Sequence, residues 1–171
     1  MCSVTTNLSP MLPGPVLLLL LATALAAPHV AAAQSRFAIH LFGASYHYQS
    51  LTYRDASGVV RRYEQFNLGI GAEYVVRDSG RVVVSGDAGA YRDSKDRTNI
   101  FAGPALRLRA GAHLSVGGAL VLMTSRTYGT PLAPLPLVTA RWRHVSVNGT
   151  WIPALGHGDS GAVALFSTIS L

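Results

Sequence analysis

Between Tyr63 and Val76 the chain alternates strictly: Phe66, Leu68, Ile70, Ala72 and Tyr74 fall on one side of an extended backbone, Asn67, Gly69, Gly71 and Glu73 on the other. Successive side chains of a strand point to opposite faces, so a period of two dictates a strand with two unlike faces. The pattern recurs roughly every 10 to 18 residues along the chain. It predicts strands over Arg36–Gln49, Tyr63–Val76, Arg81–Tyr91, Asn99–Arg109, a fifth through Leu114 to Leu122, then Leu135–Arg143, Val145–Pro153 and Val163–Leu171. Connections near 50–62, 92–98, 124–133 and 154–161 are long, whereas those near 78–80, 109–112 and 143–145 are tight. Long loops at one end and short turns at the other are the pattern of bacterial outer-membrane barrels. One face of each strand is broadly apolar; the other is Gly, Ala, Ser, Asn, Arg and Glu, too small and polar for the core of a soluble sandwich. The expected fold is therefore all-β: an eight-stranded antiparallel up-and-down transmembrane β-barrel, closed so that no strand edge is left exposed.

The rest of the composition fits an exported chain. Pro15 to Ala27 is an apolar run too short to span a bilayer, and Ala31-Ala32-Ala33 follows it. That pattern predicts a secretory signal over residues 1–33, cleaved near Ala33, and a single barrel domain over 34–171. The sole cysteine, Cys2, would leave with the signal, so disulfides cannot close the fold. Every charged residue lies after Ala33, so the net charge of +6 belongs to the barrel, where it would suit a phosphate-bearing outer leaflet.

With the chain entering from the periplasm, odd strands run outward. His47 then lies at the outer end of the first strand, and Asp93 and Ser94 lie just past the outer end of the third. A serine near a histidine oriented by a carboxylate is a general arrangement for acyl transfer. The mid-strand charges Glu73, Asp87, Arg107 and Arg141 are expected to pair across a narrow lumen, since an unpaired buried charge is costly. His40 and His113 read as structural or rim residues. No metal-ligand spacing, phosphate loop or dinucleotide fingerprint is present, and basic residues are not interleaved with aromatics as nucleic acid would require. No cofactor, metal or nucleic-acid partner is expected.

Tyr91-Arg92-Asp93-Ser94, preceded by Ser45-Tyr46-His47, resembles the lipid A palmitoyltransferase family, eight-stranded outer-membrane barrels with a functional histidine ending the first strand and an Asp-Ser pair in a later outer loop. Thr127-Tyr128 with Pro131, Pro134, Leu135 and Pro136 is similar to that family's Tyr- and Pro-rich stretch before its sixth strand. Thr150-Trp151-Ile152-Pro153 with Gly156 is similar to its aromatic-Ile-Pro-Gly element. The resemblance implies transfer of a palmitoyl-type chain from a phospholipid donor to lipid A by a monomer in the outer membrane. His47 would be the general base, with Asp93 and Ser94 positioning or stabilising an oxyanion; the nucleophile stays open. Proline has no N–H, so Pro131, Pro134, Pro136 and Pro153 would weaken the ladder between the sixth and seventh strands and admit a lipid sideways. The chain departs from the family in having only Gln34 and Ser35 where members carry an amphipathic helix, and in inner faces that read as poor in aromatics. The alternative is a non-catalytic structural or adhesive barrel; a lipid A deacylase would be expected to carry a His-Ser pair on one strand, which is not seen here.

Overall fold

A computed structural model describes residues 36–124, 131–153 and 161–171. Eight antiparallel strands close into a barrel: β1 (Phe37–His47), β4 (Phe66–Asp78), β5 (Val82–Arg92), β6 (Thr98–Arg109), β7 (Leu114–Met123), β8 (Leu132–Trp142), β9 (Val145–Ile152) and β10 (Ala162–Ser170). Sequence neighbours pair throughout, and β1 seals the cylinder by pairing with both β4 and β10. The signal segment, Thr127-Tyr128 and Gly156 lie outside the described residues.

The alternation settles which face points where. Leu68, Ile70, Leu106, Leu108, Leu120, Leu122 and Val138 are exposed on the outer wall, while Asn67, Glu73, Asn99, Thr139 and Asn148 are buried in the lumen. Phe37, Tyr74 and Trp142 ring the tight-turn end of the outer wall, and Tyr46, Tyr48 and Trp151 ring the long-loop end. Glycines on the inner faces let neighbouring strands approach: a Cβ on Gly103 or Gly117 would run into the carbonyl oxygen of Leu120 or Leu106 across the β6–β7 pair.

Three expectations need correction. The stretch 50–62 is not merely a loop, because β2 (Thr52–Arg54) and β3 (Val60–Arg62) form a small separate hairpin there. Asp55 organises its turn, accepting bonds from the Ser57 and Val59 amides and from the Arg61 side chain. β8 begins at Leu132 rather than Leu135, which puts Pro134 and Pro136 inside a strand, registered against Leu120 and Gly118 of β7. Their rings face outward, and a proline tolerates this placement because its missing N–H matters only on one side. Finally, the lumen is not poor in aromatics. Phe42 packs against Phe166 (5.1 Å between centroids), Phe101 (5.4 Å) and Tyr91 (5.6 Å), forming an aromatic layer across the middle of the barrel.

Candidate functional site

The site begins with a break in the alternation. On the first half of β1, His40 and Phe42 face inward; strict alternation would then turn Ser45 and His47 outward. Instead the register shifts between Phe42 and Ala44: against β10, where Phe42 pairs with Phe166 and Ala44 with Leu165, Gly43 is the extra residue of a β-bulge, and the pairing with β4 is irregular at the same point. One inserted residue swaps the faces of everything beyond it. Ser45 and His47 are thereby buried in the lumen.

His47 lies flat against Tyr63, with ring centroids 4.0 Å apart and planes within 6° of parallel. Tyr63 sits just after β3 and is held by the bond from its amide to the Leu51 carbonyl. Tyr53 of the hairpin packs against Tyr63 at 4.9 Å between centroids, and the Lys95 ammonium lies 5.4 Å from the Tyr53 ring centroid. The hairpin thus covers His47 from above. Its turn is locked electrostatically: the Arg61 guanidinium and then the Ser57 hydroxyl hold the Asp55 carboxyl well below the ordinary carboxylate range, and Asp55 in turn raises Arg61.

Asp93 and Ser94 come from the connection between β5 and β6. Asp93 Oδ1 accepts the Lys95 and Arg97 amides, both at 2.9 Å, while Asp96 takes a left-handed conformation (φ 61°) that closes the turn. Asp93 Oδ2 is buried and has no hydrogen-bond partner among the described residues. Ser94 reaches the lumen wall and joins a closed ring. Ser45 donates to Asn67 Oδ1 (2.5 Å), Asn67 Nδ2 donates to Ser94 Oγ (3.4 Å), and the Ser94 hydroxyl completes the circuit at 3.2 Å from Ser45 Oγ. The Ser45 proton is committed to Asn67, so Ser94 is the donor in that last contact. Asn67 also donates to the Arg92 carbonyl at 3.0 Å, fixing the ring to the root of the loop.

His47, Asp93 and Ser94 all line one cavity. The cavity passes down through the aromatic layer, with Val121, Met123, Leu135 and Leu137 in its wall, and ends on His40, Asp87, Arg107 and Asn148. Chain order alone could not reveal Asn67 or Tyr63 as members of the site. Asn67 could have been suspected as an amide on an inner face near the same rim, and Tyr63 as an aromatic of the same parity at the start of that alternating stretch.

Beside the cavity the barrel wall is incompletely hydrogen-bonded. The β8–β9 ladder runs from Trp142–Val145 to Leu137–Thr150, and above that pair no β8–β9 pairing occurs among the described residues. Among the described residues Ala133 to Pro136 pair only with β7, and Trp151 and Ile152 only with β10. Pro134 and Pro136 line one side of this seam. Pro153 directly follows its other side, and Pro131 anchors the start of β8 by accepting the Met123 amide at 2.7 Å.

The floor is a cross-lumen network. Glu73 pairs with Arg107, which also reaches Ser85; His40 Nε2 lies 3.3 Å from Asp87 and its Nδ1 2.8 Å from Thr168. Thr168 accepts from Asn148, which accepts from Thr139. Three of the four mid-strand charges thus have opposite-charge or imidazole partners, while Arg141 lies toward the tight turns. The fold also gathers what sequence spacing could not: His40, Glu73 and Asp87 offer ligand atoms within 4.8 Å of one another. Arg107 and the His40 ring already face the two carboxylates, which makes a balanced polar layer the plainer account of this cluster.

Compared with known proteins, the chain matches no family model and no curated protein.

Proposed function

We propose that the chain is an outer-membrane acyltransferase of the lipid A type, moving a palmitoyl-like chain from a phospholipid to lipid A. Membrane seating is supported by the outer wall. From Phe37 to Tyr46 along β1, a rise of about 3.3 Å per residue at a tilt near 40°, less the bulged residue, separates the two aromatic rings by about 20 Å. That approaches the apolar band of roughly 25 Å typical of such barrels. Trp and Tyr favour both interfaces of a bilayer, and the side chains between the rings are aliphatic.

The observation that carries the catalytic proposal is the single cavity with His47, Asp93 and Ser94 at its mouth, an apolar shaft beneath them and an unpaired seam in its wall. A lipid acyl chain fits such a shaft chemically, and the seam beside Pro134, Pro136 and Pro153 offers a sideways route from the bilayer. In the proposed reaction His47 accepts the proton of an acceptor hydroxyl as its oxygen attacks the phospholipid ester carbonyl. The oxyanion is stabilised by the Ser94 hydroxyl, which turns its proton from Ser45 Oγ toward the substrate while Asn67 Nδ2 donates to Ser94 Oγ. Collapse breaks the bond to the glycerol oxygen, which takes the proton from His47 and leaves as lysophospholipid. Asp93, with one oxygen lacking a partner, provides negative charge for the protonated imidazole. No cofactor is required.

The test is transfer of a labelled acyl chain from phosphatidylcholine to lipid A by purified protein in detergent. His47→Ala is expected to reduce it by at least about 100-fold, and activity unaffected by that change would refute the assignment. The closed Ser45–Asn67–Ser94 ring, whose hydroxyl protons are all engaged, favours a second reading: a non-catalytic barrel in which these groups merely brace the rim.

A further inference from the structure

The surplus positive charge is concentrated at the tight-turn end of the barrel. At the long-loop end Asp55, Glu64, Asp93 and Asp96 offset most of the six cations among the described residues. At the tight-turn end the described residues include Arg36, Arg77, Arg81, Arg109, Arg141 and Arg143 but one carboxylate, Asp78.

The inward members of this group enclose a second cavity of about 380 Å³, on the far side of the polar floor from His47. Arg36, Arg77, Arg107, Arg109 and Arg141 line it, against two carboxylates, Glu73 and Asp78. Both carboxylates are already taken. Glu73 pairs with Arg107, and Asp78 accepts a two-bonded fork from Arg109 at 2.7 and 2.6 Å. Arg36, Arg77 and Arg141 have no carboxylate partner among the described residues. The Arg141 side chain donates to the Arg143 carbonyl alone, at 3.4 Å.

The closed strand order sets these three on different walls. Arg36 leads into β1, its carbonyl accepting the Val75 amide of β4 at 2.7 Å. Arg77 is on β4 and Arg141 on β8, and those strands stand opposite each other in the ring of eight. A barrel of eight strands is only just wide enough inside for side chains, so long cations on opposite walls reach one small ligand. Without one they repel each other across the mouth. Ser115, Ser146 and Ser170 add hydroxyls to the same wall, Ser146 in register with Arg141. Guanidinium groups converging from several walls suit an anion with acceptor oxygens on every side. A tetrahedral phosphate group has them, whereas a carboxylate presents two oxygens on one side.

We propose that the tight-turn mouth is a phosphate-binding vestibule, in which Arg36, Arg77 and Arg141 hold the phosphate group of a soluble compound or of a phospholipid headgroup reaching in over the rim. The site lies at the end away from His47 and does not depend on acyl transfer.

The test is calorimetric titration of the refolded barrel in a neutral detergent with two probes, inorganic phosphate and dihexanoyl phosphatidic acid. Wild type, Arg77→Gln, Arg141→Gln and Arg62→Gln are compared. Arg62 is an exposed cation of the hairpin at the other end, so its variant removes the same net charge without touching the vestibule. The wild type should bind: binding of inorganic phosphate assigns a free anion, and binding of phosphatidic acid alone assigns a headgroup. Arg77→Gln and Arg141→Gln should each weaken that binding by about 10- to 100-fold, the size expected of a charged hydrogen bond. Arg62→Gln should leave it nearly unchanged, because salt screens charges that far away. Failure of the wild type to bind either probe, binding that survives Arg141→Gln, or equal weakening by Arg62→Gln overturns the proposal. Thermal unfolding of Arg141→Gln without ligand, expected to match or exceed the wild type because a repulsion is removed, separates lost binding from lost fold.

Discussion

Replacing Glu73 by glutamine tests whether the inner face of this barrel is a dry, bonded interior. Glu73 is 3% exposed and pairs with Arg107, whose side chain is 13% exposed and which has the Ser85 hydroxyl as its other side-chain partner. Removing one member of a buried pair leaves the other charge without compensation, at a cost of about 3–5 kcal/mol. Glutamine retains the shape of glutamate, so cavity formation adds little. With a urea dependence of about 2 kcal/mol per molar, the unfolding midpoint should fall by about 2 M. The assay is equilibrium urea unfolding of protein refolded into lipid vesicles, followed by tryptophan fluorescence from Trp142 and Trp151. Arg107→Gln should cost a similar amount. The double variant should cost well under the sum of the two, because each single change already leaves the surviving charge unpaired. A Glu73→Gln cost below about 1 kcal/mol, or additive single costs, would show that water reaches the pair and that the lumen floor is not sealed.

Three further outcomes follow from the site. Ser45→Ala opens the hydrogen-bonded ring and frees the Ser94 hydroxyl to rotate, so acyl transfer should fall by about 10- to 100-fold with little change in lipid binding; unchanged turnover would remove the ring from the mechanism. Asp55 has a folded-state pKa below its ordinary value of 3.8, so the stability it gives the hairpin is present above that ordinary value and is lost as pH falls through the depressed one. An NMR titration should place its midpoint well below 3.8 and Arg61→Gln should raise it, whereas a midpoint near 3.8 would contradict the turn geometry. Cysteines introduced together at Pro136 and Trp151, on opposite sides of the seam, should on oxidation block acyl transfer reversibly, with reductant restoring it; full activity in the cross-linked protein would exclude the seam as the entry route.

Most of the barrel was legible because two-sided strands write their period into side-chain identity. Phe66 to Tyr74 on β4 and Ile100 to Leu108 on β6 announce an outer face regardless of what surrounds them. What escaped has local causes. The bulge at Gly43 replaces the alternation of β1 with a hidden change of face, so the route of Ser45 and His47 into the lumen depended on a backbone irregularity. Residues Thr52–Arg54 and Val60–Arg62 are too short and polar to show a period, which hid the hairpin and with it the stack of Tyr53 and Tyr63 over His47. The aromatic layer was overlooked because Phe42, Tyr91, Phe101 and Phe166 come one from each of four strands, and only closure gathers them. The prolines did mark β8, but that Ala133 to Pro136 pair with β7 and, among the described residues, not with β9 is a property of three strands together. Asn67 joins the site through a contact between residues far apart in sequence, which no pattern along a single strand encodes.

The proposed activity is the addition of an acyl chain to lipid A by this barrel, using the group at His47. It is tested most directly by mass spectrometry of lipid A from Gram-negative cells expressing the protein, beside His47→Ala and Ser94→Ala variants shown to fold in the outer membrane. A lipid A species heavier by one acyl chain is expected in the wild type, absent in His47→Ala and diminished in Ser94→Ala. An unaltered lipid A spectrum from correctly inserted wild-type barrel would contradict it.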